Sequence, residues 1–336
     1  MKQFWTHLFF TTVVFIVFFA GCSRSDETFL EIRPEPIILP DFREQSAEFV
    51  AVFGDIQEYT KNNVLIDYYI QSVDWLYSVF SESNKLKAVI EVGDVTWENR
   101  VYQWQLFSHS TQRLSRIVPY YVCTGNHDYD WTASNSIAKR SSTLINDFAS
   151  FYSTRNSIVA YYAGNSLENY VAKVTVSNED LYILVLEFGP REEVVDWANS
   201  YVQNHSDSRF LLVTHEWLTR SGERISSGST AEAQFRGYSS YSTPEQVWQR
   251  LVYPNDNIWC VLCGHNGFCK LLYSENQAGR NVPQLLFNLQ YQDNGGNGLI
   301  QIWKFDSEES TISIRIFDTI HNMWYDMEEM VFDIQF

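Results

Sequence analysis

The sequence predicts an α/β domain built on a largely parallel sheet. Three observations carry this expectation. Five apolar runs of strand length each stop at a turn: 48–53 before Gly54-Asp55, 87–92 before Gly93-Asp94, 117–123 before Gly125-Asn126-His127-Asp128, 209–214 before His215, and 258–263 before Gly264-His265. Apolar residues recur at helical spacing over 62–83, and a second helical pattern runs over 102–116. The order strand, helix, strand, helix, strand over 48–123 is that of parallel strands joined by crossover helices.

The chain of 336 residues suits one large domain or two ordinary ones. With 45% hydrophobic and 16% aromatic residues, it can bury a sizeable core. The formal charge is −17, and the seven histidines cannot reverse that sign near neutral pH. No Lys/Arg run offers a basic face, so binding to a nucleic-acid duplex is not expected. A chain this acidic either avoids polyanions or handles phosphate through metal rather than arginine.

The start of the chain reads as a targeting segment. Leu8 to Ala20 is apolar apart from Thr11 and Thr12, which is short for a membrane span and right for a signal peptide. It ends Phe19-Ala20-Gly21-Cys22, which resembles a bacterial lipoprotein cleavage and lipidation site. That resemblance makes residues 1–21 a lipoprotein signal peptide and Cys22 the lipidated first residue. The mature chain would then be anchored to, not threaded through, a membrane of the bacterial cell envelope, on its periplasmic or surface face. Residues 22–46 are polar, with Pro34, Pro36 and Pro40, and read as a tether; 47–336 reads as one domain. Four further cysteines are Cys123, Cys260, Cys263 and Cys269. Cys260 and Cys263 have zinc-ribbon spacing without a second pair, and on a strand they face opposite sides. They read as buried inert thiols. A disulfide through Cys123 or Cys269 stays open.

Later elements carry weaker signals. A helix and then strands are expected over 140–175, a buried strand at 181–186 and a helix at 191–204. The Ser/Gly-rich stretch 219–243 is long for a loop and reads as functional or mobile. Thr243-Pro244-Glu245-Gln246 has the form of a helix start. Runs at 282–289, 299–305 and 311–318 read as an antiparallel section.

The strand ends supply Asp55, Asp94, Asn126 with His127, His215 and His265. Any one has a bland explanation as a turn residue or a satisfied histidine. Five together would meet on one rim of a parallel sheet, as an oxygen and nitrogen ligand set for divalent ions.

Gly54-Asp55-Ile56-Gln57, Gly93-Asp94, Gly125-Asn126-His127-Asp128, His215 and Gly264-His265, in that order, resemble the motif set of the calcineurin-like metallophosphoesterases over about residues 47–270. The resemblance implies a sandwich of two mixed β-sheets flanked by helices. It implies one or two divalent ions (Mn, Fe, Zn or Mg) and hydrolysis of phosphate mono- or diesters by a metal-bound hydroxide. Asp94 would bridge two metals, Asn126, His215 and His265 would complete the second site, and Asp55 with Gln57 would hold the first. His127 would stand beside the leaving oxygen. Asp128 would orient its loop or cap the turn, and Glu98 is another partner for His127. Two positions depart from the pattern: Gln57 and Gly267 stand where the family usually has His. A water, Asn266 or an asparagine of 288–297 would have to stand in at the second. Both losses fall on the first metal, which should be a harder ion, weakly held, or absent. The non-catalytic alternative is a descendant that binds a ligand or partner through the same cleft.

Arg220, Arg224 and Arg236 sit in or beside the loop after His215 and could hold phosphate, though solvated loop arginines are the plainer reading. Tyr129, Trp131 and Trp97 flank the motifs and could stack on a base or sugar, or simply pack the wall. The substrate would be a phosphorylated small molecule or an envelope component.

Overall fold

The computed structural model describes residue 42 and residues 46–306, 311–325 and 331–335. The expected signal peptide, Cys22 and all of the tether but residues 42 and 46 lie outside them. Among the described residues, no helix is long and apolar enough to cross a membrane.

The first sheet opens with β1 (Glu48–Phe53), β2 (Leu86–Glu91) and β3 (Tyr120–Val122). β1 pairs in parallel with β2, and β2 with β3, as the helical crossovers require. Helices Ile66–Phe80 and Val101–Thr111 make those crossovers, close to the two helical patterns in the sequence. The second sheet holds β4 (Ile158–Tyr161), β5 (Tyr170–Val176), β6 (Glu179–Val185), β7 (Arg209–Val213), β8 (Ile258–Cys263), β9 (Phe268–Glu275) and β10 (Asn281–Asn288). Its order is β4-β5-β6-β7-β8-β10-β9, with β6, β7, β8 and β10 parallel. The chain then returns to the first sheet with β11 (Leu299–Asp306), β12 (Thr311–Asp318), β13 (Met323–Trp324) and β14 (Phe332–Gln335). β11 runs antiparallel to β1.

The expected sandwich of two mixed sheets is therefore present, with two corrections. The five motif strands do not share one sheet: β1, β2 and β3 belong to the first, β7 and β8 to the second. The run at 282–289 is not part of one antiparallel section with 299–305 and 311–318. It lies in the other sheet, parallel to β8 and antiparallel to β9.

Strand periodicity explains why the central strands are apolar throughout. On β7, Leu211 and Val213 join the core between the sheets, while Phe210 and Leu212 face the outer cluster that packs on helix Glu192–Gln203. On β8 the same alternation sends Cys260 inward and Cys263 outward. The four cysteines downstream of Cys22 are buried free thiols, which closes the disulfide question for Cys123 and Cys269. The stretch 219–243 carries a short helix, Thr230–Phe235, so only part of it is loop. Thr243 caps the next helix with the full reciprocal hydrogen-bond pair to Gln246.

Candidate metal centre

The C-terminal ends of β1, β2, β3, β7 and β8 meet where the two sheets adjoin. Asp94 lies three residues beyond β2, at φ 51°, and His265 two beyond β8, at φ 70°. A left-handed backbone is uncommon outside glycine and concentrates at functional turns. Gly125 is required by proximity: a Cβ there would collide with the Asp94 carboxylate.

Asp94, His215 and His265 offer ligand atoms that all lie within 4.8 Å of one another. His215 Nε2 stands 3.3 Å from Asp94 Oδ2, and its Nδ1 is bonded to the Val92 carbonyl at 2.8 Å. His265 Nδ1 stands 3.2 Å from His215 Nε2, and its Nε2 is bonded to Thr230 Oγ1 at 2.7 Å. Thr230 is itself held, its N–H donating to Glu216 Oε1 at 2.5 Å. A histidine whose outer nitrogen is engaged this way has its inner lone pair aimed at the centre. Asn126 contributes a buried Oδ1 with no hydrogen-bond partner. It precedes His127, whose N–H donates to Asp94 Oδ1 at 2.9 Å. Asp94, Asn126, His215 and His265 thus fit a divalent ion in number and donor type.

Burial opposes ionisation of Asp94, but the His215, His127 and His265 imidazoles outweigh it and hold the carboxyl well below the usual carboxylate range. Burial and the neighbouring His215 push His265 down to about 3, so its imidazole is neutral, the form that binds metal. For His215, burial is overcome by Asp94 and Asp55, which raise it to about 10. The carboxylates that would hold a proton there would equally hold a cation.

Asp55 reaches the same region, but its oxygens are engaged by N–H donors. Burial, with Asp94 nearby, raises its carboxyl well above the ordinary value. Gln57 donates its Nε2 to Gln290 Oε1 at 2.8 Å and leaves its own buried Oε1 without a partner. The place expected for a second histidine, at Gly267, is filled by the ring of Tyr291, which a Cβ at 267 would strike. Asn266 does not stand in there; its Nδ2 donates to the Leu218 carbonyl at 2.8 Å.

His127 lies at the mouth. Its Nδ1 is bonded to the Trp97 carbonyl at 2.8 Å, and its ring sits 5.2 Å from that of Trp97 and 5.3 Å from that of Trp131. These three rings wall a cleft of about 560 Å³ that also takes in Arg100 and Asp130. Glu98 is not a partner of His127; it pairs with Arg100 at the surface. Asp128 is fully buried and accepts from the N–H groups of Gly125, Val95 and Thr96 and from Thr96 Oγ1. It ties the Asp94 and Asn126 turns together. Tyr129 is buried against Phe235 and is wall packing.

Arg220 is exposed beside Gly267, Asn288 and Tyr291. Arg236 is turned to Glu232, and Arg224 is bonded to Glu245 and Gln284. Asn288, Gln290, Tyr291, Thr230 and Glu216 escaped sequence reasoning as site residues, beyond a general expectation of an asparagine from 288–297. Amides and hydroxyls carry no motif.

The sequence model of the calcineurin-like phosphoesterase family matches residues 50–269. The chain belongs to the calcineurin-like phosphoesterase family. Among curated relatives of this phosphoesterase-family chain, the uncharacterized protein YvnB of Bacillus subtilis is 23% identical over 255 residues, covering 73% of this chain and 18% of that protein. Probable inactive purple acid phosphatase 27 of Arabidopsis thaliana is 30% identical over 96 residues, covering 28% of this chain and 16% of that protein. The chain thus spans less than a fifth of either relative. A solved 5'-nucleotidase precursor from Thermus thermophilus superposes with a TM-score of 0.43 at 12% identity, covering 86% of this chain and 54% of that one.

Proposed function

We propose that the domain hydrolyses phosphate mono- or diesters with a divalent ion held by Asp94, Asn126, His215 and His265. The observation that carries this reading is the convergence of Asp94, His215 and His265, with the buried, unpartnered Oδ1 of Asn126 next in sequence to the His127 N–H that binds Asp94, at the mouth of a cleft. The bound ion supplies charge stabilisation at the phosphoryl group and an activated water. The chain's own residues do the rest. Asp94 and the two imidazoles fix the ion's position. His127, held through its Nδ1 by Trp97, presents its other nitrogen to the leaving oxygen and carries the proton. Arg220, exposed beside Gly267 and Tyr291, offers a charge to a phosphate oxygen. Trp97 and Trp131 line the space for the ester's alcohol group. The lipid anchor at Cys22 would hold this activity at the envelope, where a phosphorylated small molecule or envelope component is the substrate.

A second reading is a ligand- or partner-binding lipoprotein without turnover. The engagement of Asp55 by N–H donors and the ring over Gly267 favour it, as does similarity to relatives described as inactive. Assay of chromogenic mono- and diesters with added Mn²⁺ separates the two. Turnover abolished by Asp94→Asn and by His265→Ala supports the hydrolase; an ion bound with no turnover of either ester overturns it.

A further inference from the structure

The first-metal position is closed by an amide network. Asp55 Oδ1 accepts the backbone N–H of His265 at 3.0 Å. Its Oδ2 accepts from Asn288 Nδ2 at 2.7 Å and Gln290 Nε2 at 2.9 Å. Both lone pairs of Oδ2 are thereby taken by N–H donors, and one of Oδ1. The Asn288 amide cannot simply be turned over. Asn288 Oδ1 accepts the N–H of Gln290 at 3.0 Å and its Nδ2 also donates to the His265 carbonyl at 3.0 Å, so its donor end must face Asp55. Gln290 is buried, with its Oε1 accepting from Gln57 Nε2 and its Nε2 donating to Asp55. A Cβ at position 267 would strike the ring of Tyr291, a side chain 72% exposed. Of the groups expected to hold a first ion, Asp55 is bonded to donors on both oxygens and position 267 offers no side chain, which leaves the buried, unpartnered Oε1 of Gln57 as a single neutral acceptor.

We propose that this chain carries a single-ion centre, with the Gln290 carboxamide standing where a two-ion site would place its second cation. This rests on the reading that an ion is held by Asp94, Asn126, His215 and His265. The amide offers Asp55 a neutral hydrogen bond in place of a metal bond. Such a bond orients the carboxylate but adds no positive charge to the centre.

The test is metal stoichiometry. The purified chain is stripped with chelator, loaded with excess Mn²⁺, desalted, and measured for metal content and electron paramagnetic resonance. One tightly held Mn²⁺ per chain, with the hyperfine pattern of an isolated ion, is expected. Two per chain with a spin-coupled spectrum would overturn this inference while leaving the metal-dependent reading intact. No ion at all would remove both. Gln290→Ala, shown by its melting curve to be folded, is titrated with Mn²⁺ beside the parent. Opening the position should bring in a second ion at least about tenfold more tightly than in the parent. An unchanged titration would show that the amide is not what excludes it.

Discussion

His215 Nε2 and His265 Nδ1 face each other at 3.2 Å, while the opposite nitrogen of each ring is bonded outward, to the Val92 carbonyl and to Thr230 Oγ1. With a proton on each outward nitrogen, two lone pairs confront one another. That arrangement is repulsive unless a proton or a cation lies between them, and Asp94 Oδ2 adds negative charge 3.3 Å from one of them. The site is thus organised around a positive charge, and its supporting bonds can be tested one at a time.

The Thr230 hydroxyl fixes His265 from outside the centre. Thr230→Val keeps the shape and removes that bond. Affinity for Mn²⁺ should fall about 10- to 100-fold, as it does when outer partners of ligating histidines are lost. The fold should lose no more than about 1–2 kcal/mol. Competitive metal titration and a denaturation curve read the two effects separately.

Gly125→Ala places a methyl group on the Asp94 carboxylate. Overpacking of this kind costs about 1–3 kcal/mol, and here relief requires moving both the backbone and the carboxylate of Asp94. Metal affinity should therefore fall together with stability. Unchanged affinity in a destabilised variant would mean that Asp94 can move without loss of the ion.

Glu91 lies behind the site, accepting bonds from the hydroxyls of Tyr69 at 2.6 Å and Tyr120 at 2.7 Å. Burial pushes it up to about 8, against an ordinary 4.5, despite those two bonds. The folded state thus keeps a proton that the unfolded state releases above about pH 4.5. The stabilisation is complete below that pH and is lost as pH rises toward 8, at about 1.4 kcal/mol per unit at most. Glu91→Gln should flatten this slope in guanidinium unfolding measured between about pH 5 and pH 8. Parallel slopes for parent and variant would contradict it.

Sequence alone made the strand ends legible because a buried parallel strand is an uninterrupted apolar run, and its terminal glycine and polar residue stand out against it. Asp55, Asp94, Asn126, His215 and His265 were found that way. What local pattern could not supply was long-range pairing. Nothing in 282–289 indicates that it lies beside β8 rather than β12. The answer to Gly267 was a tyrosine 24 residues away in sequence, placed there by the β9–β10 pairing. Asn288 and Gln290 matter through their hydrogen bonds, which their residue types do not announce. The helix Thr230–Phe235 was hidden in a Ser/Gly-rich stretch and is too short to show a period.

A centre with one cation presents less positive charge than a centre with two. It should suit a singly charged phosphodiester better than a doubly charged monoester. The ratio of kcat/KM for a chromogenic diester over its monoester counterpart should exceed one near neutral pH, and Gln290→Ala with Mn²⁺ in excess should lower it. A preference for the monoester in the parent would argue against this charge balance.

The most direct measurement is anomalous diffraction from crystals of the Mn²⁺-loaded chain, recorded at the manganese edge. A strong peak is expected about 2.0–2.3 Å from Asp94, Asn126 Oδ1, His215 Nε2 and His265 Nδ1, with none at Asp55. No peak within reach of those four side chains would contradict the account.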